Sequence, residues 1–248
     1  MAAIVITMFA LGLVVGFIGA GGSGFVVSIL TTVFGFSIHL ASGTALAAMV
    51  LTTSAGAVSH LRERNVKAGI GLVMGCLGAV GALITSRLAV RLPTAELRVL
   101  TAAILFLAAA LLLVRLRLVQ RTEEATPERP KWRRGVYSAL IGLGVGGLSG
   151  MFGIGAAPFI QLGLLAVLGL PERQAAGTTM LVIIPTALAG AIGYDQAGFL
   201  DLRLLVEVVG GTAMGSYLGA KFTRRLPRRY LKAAMVIVPA IAGGILLS

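Results

Sequence analysis

Apolar runs of membrane length, separated by short polar or basic stretches, set the pattern of this chain. The first covers residues 4–36, followed by 40–59, 69–88 and 97–114. A basic stretch, 115–134, then leads to a second series at 136–170, 175–194, 202–222 and 230–247. About 20 residues at 1.5 Å each cross roughly 30 Å of hydrocarbon, so the later runs of each series read as single membrane helices. The opening run of each series is too long for that and is cut by glycines. Gly19, Gly21, Gly22 and Gly24 fall within six residues, and each glycine weakens a helix interior by about 1 kcal/mol relative to alanine. The first run is therefore predicted as two short helices, 4–18 and 23–33, and its counterpart as 136–148 and 154–168. Irregular backbone at membrane depth persists only where protein buries it or a wet cavity solvates it.

The two series are copies at an offset of 134 residues. Gly12 falls on Gly146, Gly16 on Gly150, Gly19 on Gly153, Gly21 on Gly155 and Phe25 on Phe159. The register continues through Gly43-Thr44 on Gly177-Thr178, Gly81 on Gly215 and Leu92-Pro93 on Leu226-Pro227. The expected organisation is a first repeat at 1–114, a basic linker at 115–134 and a second repeat at 135–248. Because the opening segment recurs mid-chain, and no Lys or Arg precedes it, it is expected to belong to the fold rather than act as a leader.

Composition places both copies in a bilayer: 57% hydrophobic, 12% charged, mean hydropathy +0.97. The single cysteine, Cys76, excludes an intrachain disulfide and a Cys-rich metal site. The net charge of +12 would suit a nucleic-acid partner, but the cations lie between the spans, where they set orientation. If each broken run crossed once, eleven Lys and Arg would lie on one face and ten on the other. If each enters and returns, seventeen lie on one face and four on the other. The positive-inside rule selects the second arrangement. The predicted fold is thus all-α, with two inverted-topology repeats of five membrane elements each, in a prokaryotic cell membrane with the basic loops cytoplasmic.

The glycine clusters admit several chemistries. Gly19-x-Gly21-x-x-Gly24 matches a dinucleotide fingerprint, but membrane-length flanks replace the strand it needs, and the copy has Pro158 in place of the last glycine. Gly21-Gly22-Ser23-Gly24 matches the G-x-S-G of rhomboid-like intramembrane proteases, with His60 as the available base. The position matching Ser23 in the second copy is Ala157. Broken helices in inverted repeats also place free N–H groups where an anion can bind. The plainer use of glycine is close helix packing, which Gly12-x-x-x-Gly16, Gly71-x-x-x-Gly75 and Gly142-x-x-x-Gly146 suit. Clustering at the same place in both copies favours a site.

The order Gly-x-x-Gly-x-Gly-Gly-Ser-Gly at 16–24, with Ala41-Ser42-Gly43-Thr44-Ala45 and its copy Ala175-Ala176-Gly177-Thr178-Thr179, resembles the TauE/SafE family. That resemblance spans nearly the whole chain outside the linker. It implies a secondary transporter of small sulfur-containing or organic anions, with the family's glycine-rich elements at 16–24 and 150–158. No P-loop is present and no cofactor is expected.

The substrate-binding candidates are Gly21, Gly22, Ser23, Gly24, Thr44, Gly153, Gly155, Gln161, Thr178 and Thr179. Ser and Thr hydroxyls suit sulfonate or carboxylate oxygens, although in membrane helices they also bond the i−4 carbonyl. Gln161 is an amide in an apolar run, costly without a partner, and its counterpart is Val27. Pro158 and Pro185 are expected to kink or open helices. His60 and Glu207 are the proton-coupling candidates: a histidine titrates near neutrality, and an intramembrane acid is a functional candidate by default. Glu207 alternatively pairs with Arg203 near the interface. The expected partners are a small anionic substrate, the lipid bilayer and a coupling proton or ion, with no nucleic acid. Oligomeric state stays open, a homodimer included.

Overall fold

A computed structural model describes residues 2–18, 22–119, 131–223 and 228–247, and all its regular structure there is helical. The order is α1 (Ala2–Ile18), α2 (Ser23–Thr32), α3 (Ile38–Arg62), α4 (Ala68–Ala89) and α5 (Thr94–Val119). Then come α6 (Lys131–Phe152), α7 (Ala157–Leu162) with a π-helical turn (Gly163–Val167), α8 (Glu172–Asp195), α9 (Leu202–Thr223) and α10 (Arg228–Leu247). Among the described residues, five helices are long and apolar enough to cross a membrane: Ile38–Arg62, Ala68–Ala89, Thr94–Val114, Trp132–Phe152 and Glu172–Asp195. Their outward faces expose Leu72, Val80, Ile84, Leu107, Leu140 and Leu188, as lipid contact requires.

The first break falls where the glycines predict it, with Gly22 as N-cap of α2. The second does not. Helix α6 runs past the predicted end at 148, through Gly150 to Phe152, and the break is Gly153–Ala156. Packing explains the difference. A methyl group on Gly142, Gly146 or Gly150 would overlap the α4 backbone at Met74, Gly78 and Ala82 respectively. These glycines, one per turn, let two helix backbones touch, and the close contact offsets their weak helix propensity. Pro158 sits in the first turn of α7, where no kink results, while Pro185 lies inside α8 with its ring against Gly75.

Contacts recur at the repeat offset with the partners exchanged. Gly12 lies against the backbone of Thr212, and its counterpart Gly146 against that of Gly78. Gly215 meets the Phe9 carbonyl and Leu13 amide, while Gly81 meets the Leu143 carbonyl and Gly147 amide. In the centre α3 and α8 pack antiparallel. Gly43 faces the Phe199 carbonyl and Tyr194 Cβ, and Gly177 faces the Asn65 carbonyl and His60 Cβ. Between these ends, Leu46 meets Gly190 and Gly56 meets Met180.

The turns following α3 and α8 close alike: Asn65 N donates to His60 O and Phe199 N to Tyr194 O, both at 2.9 Å. Each needs one residue at positive φ. The second turn uses Gly198 (φ 79°), the first Arg64 (φ 57°). A side chain in the left-handed region costs roughly 1 kcal/mol. Arg64→Gly should therefore raise thermal stability by a few degrees, read by melting in detergent. An unchanged or lower melting temperature would count against strain there.

The site where the two helix breaks meet

The start of α2, just after the first break, meets the second break inside the bundle. Ser23 opens α2, and its Oγ accepts a hydrogen bond from Gly155 N at 3.0 Å, joining residues 132 apart. Next to it, a methyl group on Gly24 would overlap the Leu105 side chain and approach Ile154 Cγ2 to 3.1 Å. The second break is held by tight turns. Gly153 (φ 67°) lies so close to Ser42 that no β-carbon fits, and Ala156 adopts a left-handed conformation (φ 44°, ψ 22°) as N-cap of α7. The Met49 thioether covers Gly155.

A cavity of about 20 Å³ lies against these turns. It has room for about one water molecule. Ser23 and Ala157 line it, as do Leu105 and Pro239, and each pair is related by the offset of 134 residues. The cavity thus sits where the two copies face each other. Among the described residues its wall carries no ionised side chain and one side-chain hydroxyl, Ser23. The polar character comes from backbone. The starts of α2 and α7 lie here. Phe25 N and Val26 N donate to Gly22 O, Phe159 N and Ile160 N to Ala156 O, and Pro158 carries no N–H. What the two helix N-termini offer negative charge is chiefly the positive end of their dipoles.

The other predicted residues are distributed more widely. Gly21 lies outside the described residues. Gln161 is buried in α7, and its Oε1 has no hydrogen-bond partner, but it does not line the cavity. Thr44 is fully buried in α3 with Oγ1 likewise unpartnered. Thr178 Oγ1 accepts from Lys67 N at 3.1 Å, so this hydroxyl fastens the α3–α4 turn. Thr179 donates to its own i−4 carbonyl, Ala175 O, at 2.8 Å.

His60 occupies the last turn of α3 against Gly177, with a buried, unpartnered Nδ1. Glu207 is half-buried on α9 one turn before Gly211, which packs on Val5 and Met8 at the start of α1. The first break follows Ile18, ten residues beyond Met8, or about 15 Å along the helix. Neither coupling candidate touches the cavity. Among the described residues no cluster of three His, Cys, Asp or Glu offers a metal site.

Sequence reasoning passed over His39. It is buried at the start of α3, its Nε2 lies 3.1 Å from Ala89 O at the end of α4, and its ring packs on Phe199 with centroids 5.1 Å apart. The available signal was a lone histidine inside an apolar stretch, whose counterpart is Arg173.

Comparison with known proteins bears on this arrangement. The family model for "Sulfite exporter TauE/SafE" matches residues 4–246. The chain belongs to the TauE/SafE family. A "Probable membrane transporter protein YdhB" of Bacillus subtilis (strain 168) is 48% identical over 244 residues, covering 98% of this chain and 99% of that one. A "Probable membrane transporter protein" of Xylella fastidiosa (strain Temecula1 / ATCC 700964) is 23% identical over 216 residues, 87% and 82% of the two chains. No solved structure matches. The protein is a multi-pass membrane transporter of the TauE/SafE family.

The hydrolase alternative finds no support in this family or in the geometry. Ser23 Oγ already bonds Gly155, which lies under the Met49 thioether. His60 is eleven residues farther along α3, about 16 Å at 1.5 Å per residue, beyond the reach of a general base.

Proposed function

We propose that this TauE/SafE protein is a secondary-active exporter of small sulfur-containing or organic anions, such as sulfite or sulfonates. It works by alternating access between two inverted halves, residues 1–114 and 135–248, joined by a cytoplasmic basic linker. The observation that carries this reading is the cavity between the breaks, lined by residue pairs that exchange under the repeat offset. The antiparallel packing of α3 on α8, one copy against the other, supports the inverted relation. Two helix N-termini, with no ionised side chain on the described wall, suit an anion that must be released as readily as it is bound. An inside-negative potential drives anions outward, and the seventeen-to-four division of cations favours basic loops in the cytoplasm.

The test is thermal melting of the purified protein against sulfite, thiosulfate, sulfoacetate, taurine, sulfate and simple carboxylates. An anion at 100 times its Kd stabilises the folded state by about 2.7 kcal/mol, equivalent to roughly 5–10 °C for a chain of this size. One selective shift, followed by saturable counterflow of that anion in proteoliposomes, is the expected result. No shift with any anion on either side of neutral pH would overturn the substrate class. Flux without saturation or counterflow would indicate a channel.

A further inference from the structure

His60 and Tyr194 hold equivalent places in the two copies. They lie 134 residues apart, and the glycines that face them, Gly177 and Gly43, form a pair at the same offset. A β-carbon on Gly43 would lie 2.9 Å from Tyr194 Cβ, and one on Gly177 3.0 Å from His60 Cβ. The backbones match, but the polar ends of the two rings do not. Tyr194 is fully buried, and its hydroxyl donates at 3.0 Å to Met151 O in the last turn of α6. The helical donor to that carbonyl would be Gly155 N, which Ser23 Oγ has taken. The phenol therefore fixes the end of the helix that leads into the second break. His60 Nδ1, by contrast, is buried without a partner. The helices around each residue differ in the same sense. Gly71, Gly75 and Gly78 seat α4 on α8 against Leu181, Pro185 and Thr186, and Arg87 donates to Gln196 Oε1 at 2.6 Å. The residues 134 away from those glycines are Leu205, Val209 and Thr212, too large for so close an approach. Those corresponding to Arg87 and Gln196 are Lys221 and Arg62, two cations that cannot make that bond. Helix α9 accordingly touches α3 far less than α4 touches α8, and this looser contact is the one free to change.

We propose that Tyr194 and His60 are alternate latches on the ends of α6 and α1, and so positioning residues of the transport cycle. In this form the phenol holds the α6 end and the imidazole is disengaged. In the opposite form the Tyr194–Met151 bond opens and the α1–α9 pair closes on α3. His60 then donates to the carbonyl of Phe17, the counterpart of Met151 in the last turn of α1. Neutral and charged imidazole both carry an N–H, so this latch needs no proton transfer. Exchanging one buried hydrogen bond for another keeps the two forms close in free energy, as repeated turnover requires. The proposal rests on the alternating-access reading but not on the identity of the anion.

The test reads access to the cavity and needs no anion. A reporter thiol, Ala108→Cys on the cavity wall, is placed in a Cys76→Ser background, which removes the exposed native thiol. A charged, membrane-impermeant methanethiosulfonate is applied to vesicles of either orientation. The rate of labelling from the face that bears Arg87 and Gln196 is the readout. Tyr194→Phe removes only the donor and should raise this rate about tenfold, the population ratio that one buried hydrogen bond controls. His60→Phe should lower it by a similar factor. The double variant should return it to the wild-type value, because each form has then lost one bond. A role in folding alone gives no such opposition or cancellation. An unchanged rate in either variant, or shifts of the same sign in both, would overturn the latches, and His60→Phe decides alone if Tyr194→Phe yields no folded protein. Saturable anion counterflow alongside unchanged labelling would remove the latches and leave the transporter reading standing. Opposed labelling shifts without counterflow of any anion would keep the latches and remove the anion.

Discussion

Gly146→Val should abolish production of the folded protein, whereas Gly144→Val, two residues earlier on the same helix, should leave it intact. At Gly146 the nearest atoms are the carbonyl, Cα and carbonyl carbon of Gly78, all closer than a β-carbon tolerates. These are backbone atoms, so no rotamer change relieves the clash. Helices α4 and α6 would have to separate along a seam that also includes Gly142 on Met74 and Gly150 on Ala82. Overpacking costs about 1–3 kcal/mol where side chains can move aside. Against rigid backbone, the loss of a close helix contact should exceed that range. At Gly144 nothing lies within 4 Å, and a valine would meet lipid. Size-exclusion profiles of the two variants in detergent provide the check. A monodisperse Gly146→Val peak at wild-type yield would refute the role of backbone contact in holding these helices.

The same glycines show how far sequence carries and where it stops. The helical runs, their duplication and the first break at Gly22 follow from local properties: apolar length, repetition and the low helix propensity of clustered glycines. Family membership followed from the same clusters. The second break was misplaced by about four residues because glycine has two opposite uses. It weakens an isolated helix, yet it lets two helices touch. Which use applies to Gly146 and Gly150 depends on Gly78 and Ala82, some 70 residues away, and no window around the cluster contains that information. The hydroxyls show a similar limit. Ser23, Thr178 and Thr179 look alike in sequence, but the structure directs one to the other break, one to the amide of Lys67 and one to its own helix. Only the first faces the cavity. The π-helical turn after α7 has no sequence signal that we can identify.

Ser23→Val should reduce transport at least tenfold while leaving a folded protein. Valine puts a methyl group in place of Oγ and adds a second, and it removes the acceptor of Gly155 N. A buried N–H without a partner costs about 1–3 kcal/mol, and about 1.4 kcal/mol corresponds to a tenfold change in an equilibrium. The loss falls on a direct hydrogen bond between the start of α2 and the second break, and the added methyl groups enter a cavity with room for about one water. Binding and the movement between inward- and outward-open forms should both suffer. Ser23→Thr restores the oxygen and should recover much of the flux. Ala157→Ser places a hydroxyl at the corresponding position of the other copy and should not substitute for it, because the α2 and α7 ends differ at Gly22 and Ala156. The measurement is counterflow in proteoliposomes for the anion found by melting, with yield and melting temperature recorded for each variant. Wild-type flux in Ser23→Val would remove the junction of the breaks from the transport cycle. Loss of flux in Ser23→Val and Ser23→Thr alike would assign the effect to side-chain bulk rather than to the hydrogen bond.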